Sequence, residues 1–245
     1  MNLLTAEQKE SFIEDATESQ ARDFSEISQW LIRRKITKLF HFTHIDNLDA
    51  ILQTGFQTRQ FLDLNSQSYT PSDHDRLDGF LESLSFSIGR PNSLLLPEKN
   101  FKYEHKLVLL EVAANNLLTQ SFGALPTNAA NGYFQEILST DKSRFVGIRG
   151  LQGMYLNEAL RKKASLPIEE PTDPQAEILF FEPIENSKIL GVHLSERFPE
   201  SAREKFTQVI ADFPNLKRDY ACKCGFFTRW NGLFRQYNID WEKNG

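Results

Sequence analysis

Four short blocks of the 245-residue chain combine residue types that can do chemistry. The first is His41-Phe42-Thr43-His44-Ile45-Asp46-Asn47-Leu48. On a strand, His41 and Thr43 share one face and Phe42 turns to the other. Two short polar groups on one face can meet a ligand's amide and hydroxyls together, although a histidine satisfied in a core or at an edge reads the same. The second block alternates strictly, Ser83-Leu84-Ser85-Phe86-Ser87-Ile88, with Arg76 upstream and Arg90-Pro91-Asn92 downstream. Its serines form one polar face, which matters only where another polar face meets it. The third is Asp173-Pro174-Gln175-Ala176-Glu177-Ile178-Leu179. Glu177 opens an apolar strand, with Gln175 two residues earlier on the same face. A carboxylate held beside a cleft stabilises positive charge that develops at a reacting centre, as in oxocarbenium-like glycosidic chemistry.

The fourth block is basic. Lys142, Arg144, Arg149, Arg161, Lys162 and Lys163 share a stretch with one acid, Glu158, and with Phe145 and Tyr155; Tyr133 and Phe134 lie just before it. Cations for phosphates and aromatic faces for bases suit single-stranded nucleic acid. A solvated helix over core aromatics gives the same pattern. The run from Cys222 to Tyr237 repeats the mixture. Cys222 and Cys224 lack a second cysteine pair, so no zinc site is expected.

These blocks need elements to hold them. Thr5 and Gln8 form a capping box for a helix over 5–35, with Ile13, Ala16, Phe24, Ile27 and Leu31 as its apolar stripe. Residues 38–43, 83–88, 105–112, 144–148, 176–182 and 188–194 read as strands. A short helix follows His44, with Asp46 as its cap and Gly55 at its left-handed end. Residues 57–82 read as mostly loop, and 151–164 and 199–213 as helices. Strands and helices mix without regular alternation, which predicts an α+β fold. No linker divides the chain, so one domain is expected. The net charge is -5, with 28 basic and 33 acidic residues, which excludes a uniformly basic domain but not a basic groove. Two cysteines, an early charged segment and no long apolar run predict a protein of the reducing cytoplasm, without membrane span or signal peptide.

Taken in order, Phe40-His41-Phe42-Thr43-His44-Ile45-Asp46-Asn47-Leu48, the arginine and serine-strand block, and Pro174-Gln175-Ala176-Glu177-Ile178-Leu179 resemble the DarT family of nucleic-acid ADP-ribosyltransferases. The likeness runs from about Lys38 to about Leu194. It implies an ADP-ribosyltransferase-like split β-sheet core flanked by helices, with an added N-terminal helix over 1–36, in one domain spanning 1–245. It also implies NAD as co-substrate, no metal, and transfer of ADP-ribose to a base of single-stranded DNA by a toxin that an antitoxin protein neutralises.

By that resemblance His41, Phe42 and Thr43 hold the nicotinamide and its ribose, with Asn47, Ser85, Ser87 and Gln175 in the same NAD site. Glu177 is the catalytic carboxylate. Arg76 is the catalytic arginine, with Arg90 as the alternative. Residues from about 125 to 171 select the target nucleotide, which sets Arg144, Arg149, Tyr155, Arg161, Lys162 and Lys163 against the nucleic acid. Arg76-Leu77-Asp78-Gly79, the serine strand and Pro91-Asn92 look more like the guanine-modifying branch than the thymine-modifying one. RNA or protein as target, and a non-catalytic NAD-sensing or nucleic-acid-binding module, remain the alternatives.

Overall fold

In a computed structural model, which describes residues 4–71 and 79–222, the chain begins with the capped helix. Gln8 N–H donates to Thr5 Oγ1 at 3.2 Å and Thr5 N–H to Gln8 Oε1 at 2.9 Å, closing the box. The helix α1 (Ala6–Arg34) ends at Lys35, a left-handed residue with φ 56°. Its buried stripe is Phe12, Ala16, Ser19, Asp23, Ile27, Trp30 and Leu31; Ala16, Ile27 and Leu31 are as expected, whereas Ile13 is half-buried and Phe24 is exposed. The reason is Asp23. Its Oδ2 accepts from Ile148 N–H at 3.1 Å and so caps a second helix far along the chain. A stripe with Asp23 inward turns its neighbour Phe24 out.

The remaining elements are β1 (Lys38–His44), α2 (Leu48–Thr54), α3 (Arg59–Leu64), β2 (Leu84–Ile88), α4 (Leu95–Lys102), β3 (Leu107–Ala113), β4 (Phe122–Leu125), α5 (Gly132–Thr140), α6 (Gly147–Gly153), α7 (Glu158–Lys163), β5 (Glu177–Phe180), β6 (Ile189–Ser195), α8 (Glu200–Ala211) and β7 (Lys217–Cys222). The seven strands form one sheet in the order β4-β5-β2-β1-β3-β6-β7. All neighbours are antiparallel except β6 and β7. The mixed α+β architecture and the N-terminal helix are as expected.

The pairing is uneven, and this is the split. β1 pairs with β3 through every residue from Lys38 to His44. It pairs with β2 only at Leu39↔Ile88 and Phe40↔Ser87. Beyond Phe40 the two strands part. The sheet is therefore two halves, β4-β5-β2 and β1-β3-β6-β7, hinged at two residue pairs. Inward residues of both halves, among them Leu39, Phe86, Val108, Leu110, Ile178 and Val192, form one fully buried core with Ile27 of α1. On the other face Phe40, Leu96, Leu107 and Leu109 make a smaller cluster.

Several local expectations change. Residues 144–148 do not form a strand; Val146 makes one isolated bridge to Gly123, and α6 starts at Gly147 with φ 54°. The helix expected over 151–164 is divided into α6 and α7. Asn157 is left-handed with φ 65°, and its side chain caps α7 through Leu160 N–H at 3.0 Å. The loop at 57–82 contains α3, capped by Thr58. Asp46 caps nothing and pairs instead with Lys205 and with His44 at 3.0 Å. Gly55 ends α2 with φ 84° but ψ −174°; a Cβ there would stand 2.2 Å from Ile184 O, so close approach of backbone requires glycine.

A polar clamp ties the larger half together. Glu111, 3% exposed, lies 2.7 Å from Lys38 Nζ and 2.9 Å from His193 Nε2, and His193 Nδ1 lies 3.4 Å from Asp219. Burial pushes the Glu111 carboxyl up, but hydrogen bonds from His193 and Lys38 outweigh it and hold it at about 2.

Two outcomes follow from these contacts. Asp23→Ala lowers the unfolding free energy by about 1–2 kcal/mol in urea denaturation, the usual loss for a helix cap; an unchanged midpoint would remove the cap from the account. Glu111 has a depressed folded pKa, so its stabilisation is full above pH 4.5 and is lost as pH falls toward about 2. Glu111→Gln is less stable than the natural protein at pH 7, by at most about 3 kcal/mol, and lacks that acid-limb slope. Parallel stability–pH curves for the two proteins would contradict it.

Candidate active site

The split opens a cleft of about 230 Å³ whose walls include His41, Phe42, Thr43, Ser85, Ser87 and Glu177. Glu177 is the first residue of β5 and is 8% exposed. Ser85 Oγ donates to its Oε1 at 3.0 Å, and Ala129 N–H donates to Oε2 at 2.8 Å. Asn128 Nδ2 adds a longer contact of 3.4 Å. The carboxylate is thus oriented by one side chain of β2 and by the segment that leaves β4.

That separation is itself bolted. Asp173 Oδ2 accepts from Thr127 Oγ1 at 2.6 Å, and its Oδ1 accepts from Gln175 N–H at 2.8 Å. One buried aspartate therefore fixes the turn before Glu177 to the strand end that carries Asn128 and Ala129. Gln175 sits in this turn rather than on the strand, and it is not among the residues lining the cleft. The expected same-face pairing with Glu177 does not form, because the turn breaks the alternation.

His41 lies where β1 and β2 part. Its Nδ1 is 2.9 Å from Ser85 O. A carbonyl only accepts, so the ring carries its proton on Nδ1. Phe56 and Phe86 hold the ring from two sides, each with a centroid distance of 5.2 Å. Thr43 Oγ1 accepts from Asn47 Nδ2 at 2.8 Å. The same amide clamps Thr70, with Nδ2 donating to Thr70 O at 2.7 Å and Oδ1 accepting from Thr70 N–H at 2.8 Å. Asn47 lines the cleft and fixes the chain just before 72–78. Arg76 lies outside the described residues, as do Cys224 and the aromatic tail.

The two polar faces do not meet as expected. The registers Phe40↔Ser87 and Phe86↔Ile178 put Ser85, Ser87 and Glu177 on the face of Phe40 and Phe42. His41 and Thr43 project to the opposite face. They share a cavity with the glutamate only because the strands separate, so the cleft passes through the sheet. Ser87 Oγ accepts from Asn92 N–H at 3.1 Å and holds the turn after β2. Arg90 in that turn faces away from the cleft toward Glu170, 3.6 Å distant. Burial pushes the Glu170 carboxyl up, and Arg90 opposes that.

The basic stretch divides. Tyr155 is buried; its hydroxyl donates to Glu169 O at 2.8 Å, and its ring packs on Trp30 with centroids 5.0 Å apart. Arg34 and Arg161 lie over that ring at 4.6 and 5.0 Å. Arg161, 3% exposed, donates to Glu170 O at 2.7 Å and Pro167 O at 3.0 Å, and burial with Arg34 nearby pulls its guanidinium down. Both residues are interior struts, so neither can stack on or neutralise a strand of nucleic acid in this arrangement. Arg149, Lys162 and Lys163 are exposed and Arg144 is half-buried; none of them lines the cleft. Sequence reasoning missed Asn128 and Ala129, and it noted Asn92 beside the serine strand without giving it a role. Among the described residues no group of three or more His, Cys, Asp or Glu could hold a metal, and no helix is long and apolar enough to cross a membrane.

With this geometry, comparison with known proteins gives a consistent answer. A solved structure described as Thermosipho africanus DarTG in complex with ADP-ribose has 15% identity and a TM-score of 0.52. The match covers 78% of this chain and 51% of that one, so the chain spans about half its length. Another, described as Thermus sp. 2.9 DarT in complex with ADP-ribosylated ssDNA, has 16% identity and a TM-score of 0.49, covering 78% of this chain and 96% of that one. At such identities the Thermosipho likeness shows the fold alone. None of the curated proteins matches the chain in sequence. The family model described as "ssDNA thymidine ADP-ribosyltransferase, DarT" matches residues 40–218, well over half the chain, from the parting of the sheet to its last strand, and the chain belongs to that family.

Proposed function

We propose that the protein transfers ADP-ribose from NAD to a base of single-stranded DNA. The observation that carries this reading is the buried Glu177 carboxylate, held by Ser85 Oγ and Ala129 N–H in a cleft that also contains His41 and Thr43. The chemistry of that donor set fits NAD. His41 and Thr43 offer ring and hydroxyl groups to the nicotinamide end, and Asn47 holds Thr43 in place for it. Glu177 hydrogen-bonds the nicotinamide ribose. As the C1″–N bond breaks, nicotinamide leaves with the bonding pair, and the carboxylate stabilises the oxocarbenium ion. A nitrogen of the base then attacks C1″ and gives up its proton to solvent. Arg76, on the segment that follows the clamped Thr70, positions the diphosphate or assists the loss of the acceptor's proton to solvent. The base must be unpaired, because a stacked duplex hides its nucleophile.

Guanine is the favoured acceptor, on the resemblance of the Arg76–Gly79 and serine-strand blocks to the guanine-modifying branch; thymine is the base named in the family description. Arg144, Arg149, Lys162 and Lys163 remain the candidates for contact with the phosphate chain. The resemblance further supports a toxin that acts in the cytoplasm and is countered by an antitoxin protein.

Incubation with adenylate-labelled NAD and single-stranded DNA, RNA or a protein lysate, side by side, tests the reading. Label is expected on DNA, and Glu177→Ala is expected to lower it at least about 100-fold with an unchanged circular-dichroism spectrum. Retained labelling in the variant would sink the catalytic assignment. Label on RNA or protein alone would keep the residues and discard the target. NAD bound with no label anywhere would make the protein a sensing module.

A further inference from the structure

The cleft passes through the sheet, so its walls belong to different faces. His41, Thr43 and Asn47 stand on the α2 side. Glu177, Ser87, Asn92, Leu95 and Lys99 stand on the α4 side. In the proposed transfer, nicotinamide leaves one side of C1″ and the acceptor attacks from the other, as in an inverting displacement. With nicotinamide against His41 and Thr43, the acceptor enters from the side of the α4 wall and of Asn128 and Ala130.

On that wall one donor is unspent. Asn92 is 2% exposed. Its Oδ1 accepts from Leu94 N–H at 3.2 Å and Leu95 N–H at 2.9 Å, at the start of α4. Two backbone donors fix which end of the amide is oxygen, and they turn Nδ2 away from the helix. That Nδ2 has no hydrogen-bond partner. Asn92 N–H itself is anchored on Ser87 Oγ, so the residue cannot easily swing to find one. A buried unpaired donor costs about 1–3 kcal/mol, and such a group in a native structure calls for a reason. A helix cap alone does not supply it, since aspartate or serine would cap α4 without leaving a donor idle.

We propose that Asn92 reads the acceptor base, its Nδ2 donating to a keto oxygen on the base edge. This rests on the transfer reaction proposed above and adds how the acceptor is chosen. Because Oδ1 is committed to α4, the side chain offers a donor only. It donates to O6 of guanine, or to O2 or O4 of thymine, and opposes the amino group that adenine carries in place of a keto oxygen. A site built around a hydrogen-bond donor discriminates strongly, because the wrong group leaves that donor buried and unpaired.

The test uses Asn92→Asp in the full chain. Aspartate keeps the size and the helix cap and exchanges the donor for an acceptor. Transfer is measured to oligonucleotides containing the natural base or its thio analogue, 6-thioguanine or 2- or 4-thiothymine, whose sulfur accepts hydrogen bonds poorly. NAD hydrolysis without oligonucleotide and the KM for NAD are measured alongside. The natural protein is expected to lose about tenfold or more on a thio base. The variant is expected to lose as much on the natural base, with no further loss on the thio base, while NAD hydrolysis and its KM stay within about twofold. Independent, multiplying losses, or a natural protein indifferent to sulfur, would overturn the inference. So would a parallel fall in NAD hydrolysis, which would assign Asn92 to NAD or to folding. A natural protein that hydrolyses NAD but labels no oligonucleotide would overturn the reaction itself, which distinguishes that failure from a failure of Asn92.

Discussion

Two residue pairs, Leu39↔Ile88 and Phe40↔Ser87, hold the halves of the sheet together, and the rest of the site depends on their number. A longer ladder would close the gap and bury His41 and Thr43 against a neighbouring strand. With none, the halves would have no common frame. After Phe40 the backbone groups of β1 and β2 can no longer satisfy each other, and a buried carbonyl left without a donor is costly. His41 supplies one of the missing donors by binding Ser85 O, so a group that lines the cleft also seals the end of the ladder. Ser85 has the same double position from the other side. Its carbonyl meets His41 and its hydroxyl meets Glu177, so one residue sets the distance between the two polar walls.

Rigidity behind the glutamate comes from a different source. Glu177 sits at a strand end, where alternation alone would leave it loosely aimed. Asp173 binds Thr127 across the sheet and Gln175 N–H in its own turn, which makes the turn and the exit of β4 one unit. The backbone N–H of Ala129 is carried on that unit. Preorganised donors of this kind need no rearrangement when a substrate arrives, which is the usual physical origin of their effect.

What the sequence disclosed follows from which signals have a period. Strand alternation is short-ranged, so β1, β2, β3, β5 and β6 and the positions of His41, Thr43 and Glu177 were legible. The capping box of α1 was legible for the same reason. The cradle at Ala129 was not, because a backbone N–H has no residue identity. Gln175 was misplaced because the turn that stops the alternation is enforced by Asp173 through a tertiary contact with Thr127. Tyr155 and Arg161 illustrate a degeneracy: an arginine over an aromatic ring looks the same in sequence when it waits for a base and when it is stacked in the interior. Asp23 is the converse case, a charged residue on the buried stripe whose partner, Ile148 N–H, is 125 positions away.

The distance between Asp23 and its partner has a consequence for how the molecule is made. Phe12 lies so close to Gly123 that any side chain there would collide with its ring, and Asp23 Oδ2 is answered by Ile148 N–H of α6. The first helix can rest early on Leu39, Leu48 and Phe80, but these two contacts wait until roughly 90 to 115 residues have followed it. The strand that opens with Glu177 comes later still, inserting between β2 and β4, which are already made. β6, α8 and β7 follow it, so a nascent chain carries every wall of the cleft before it carries the outer half of the β1 side of the sheet.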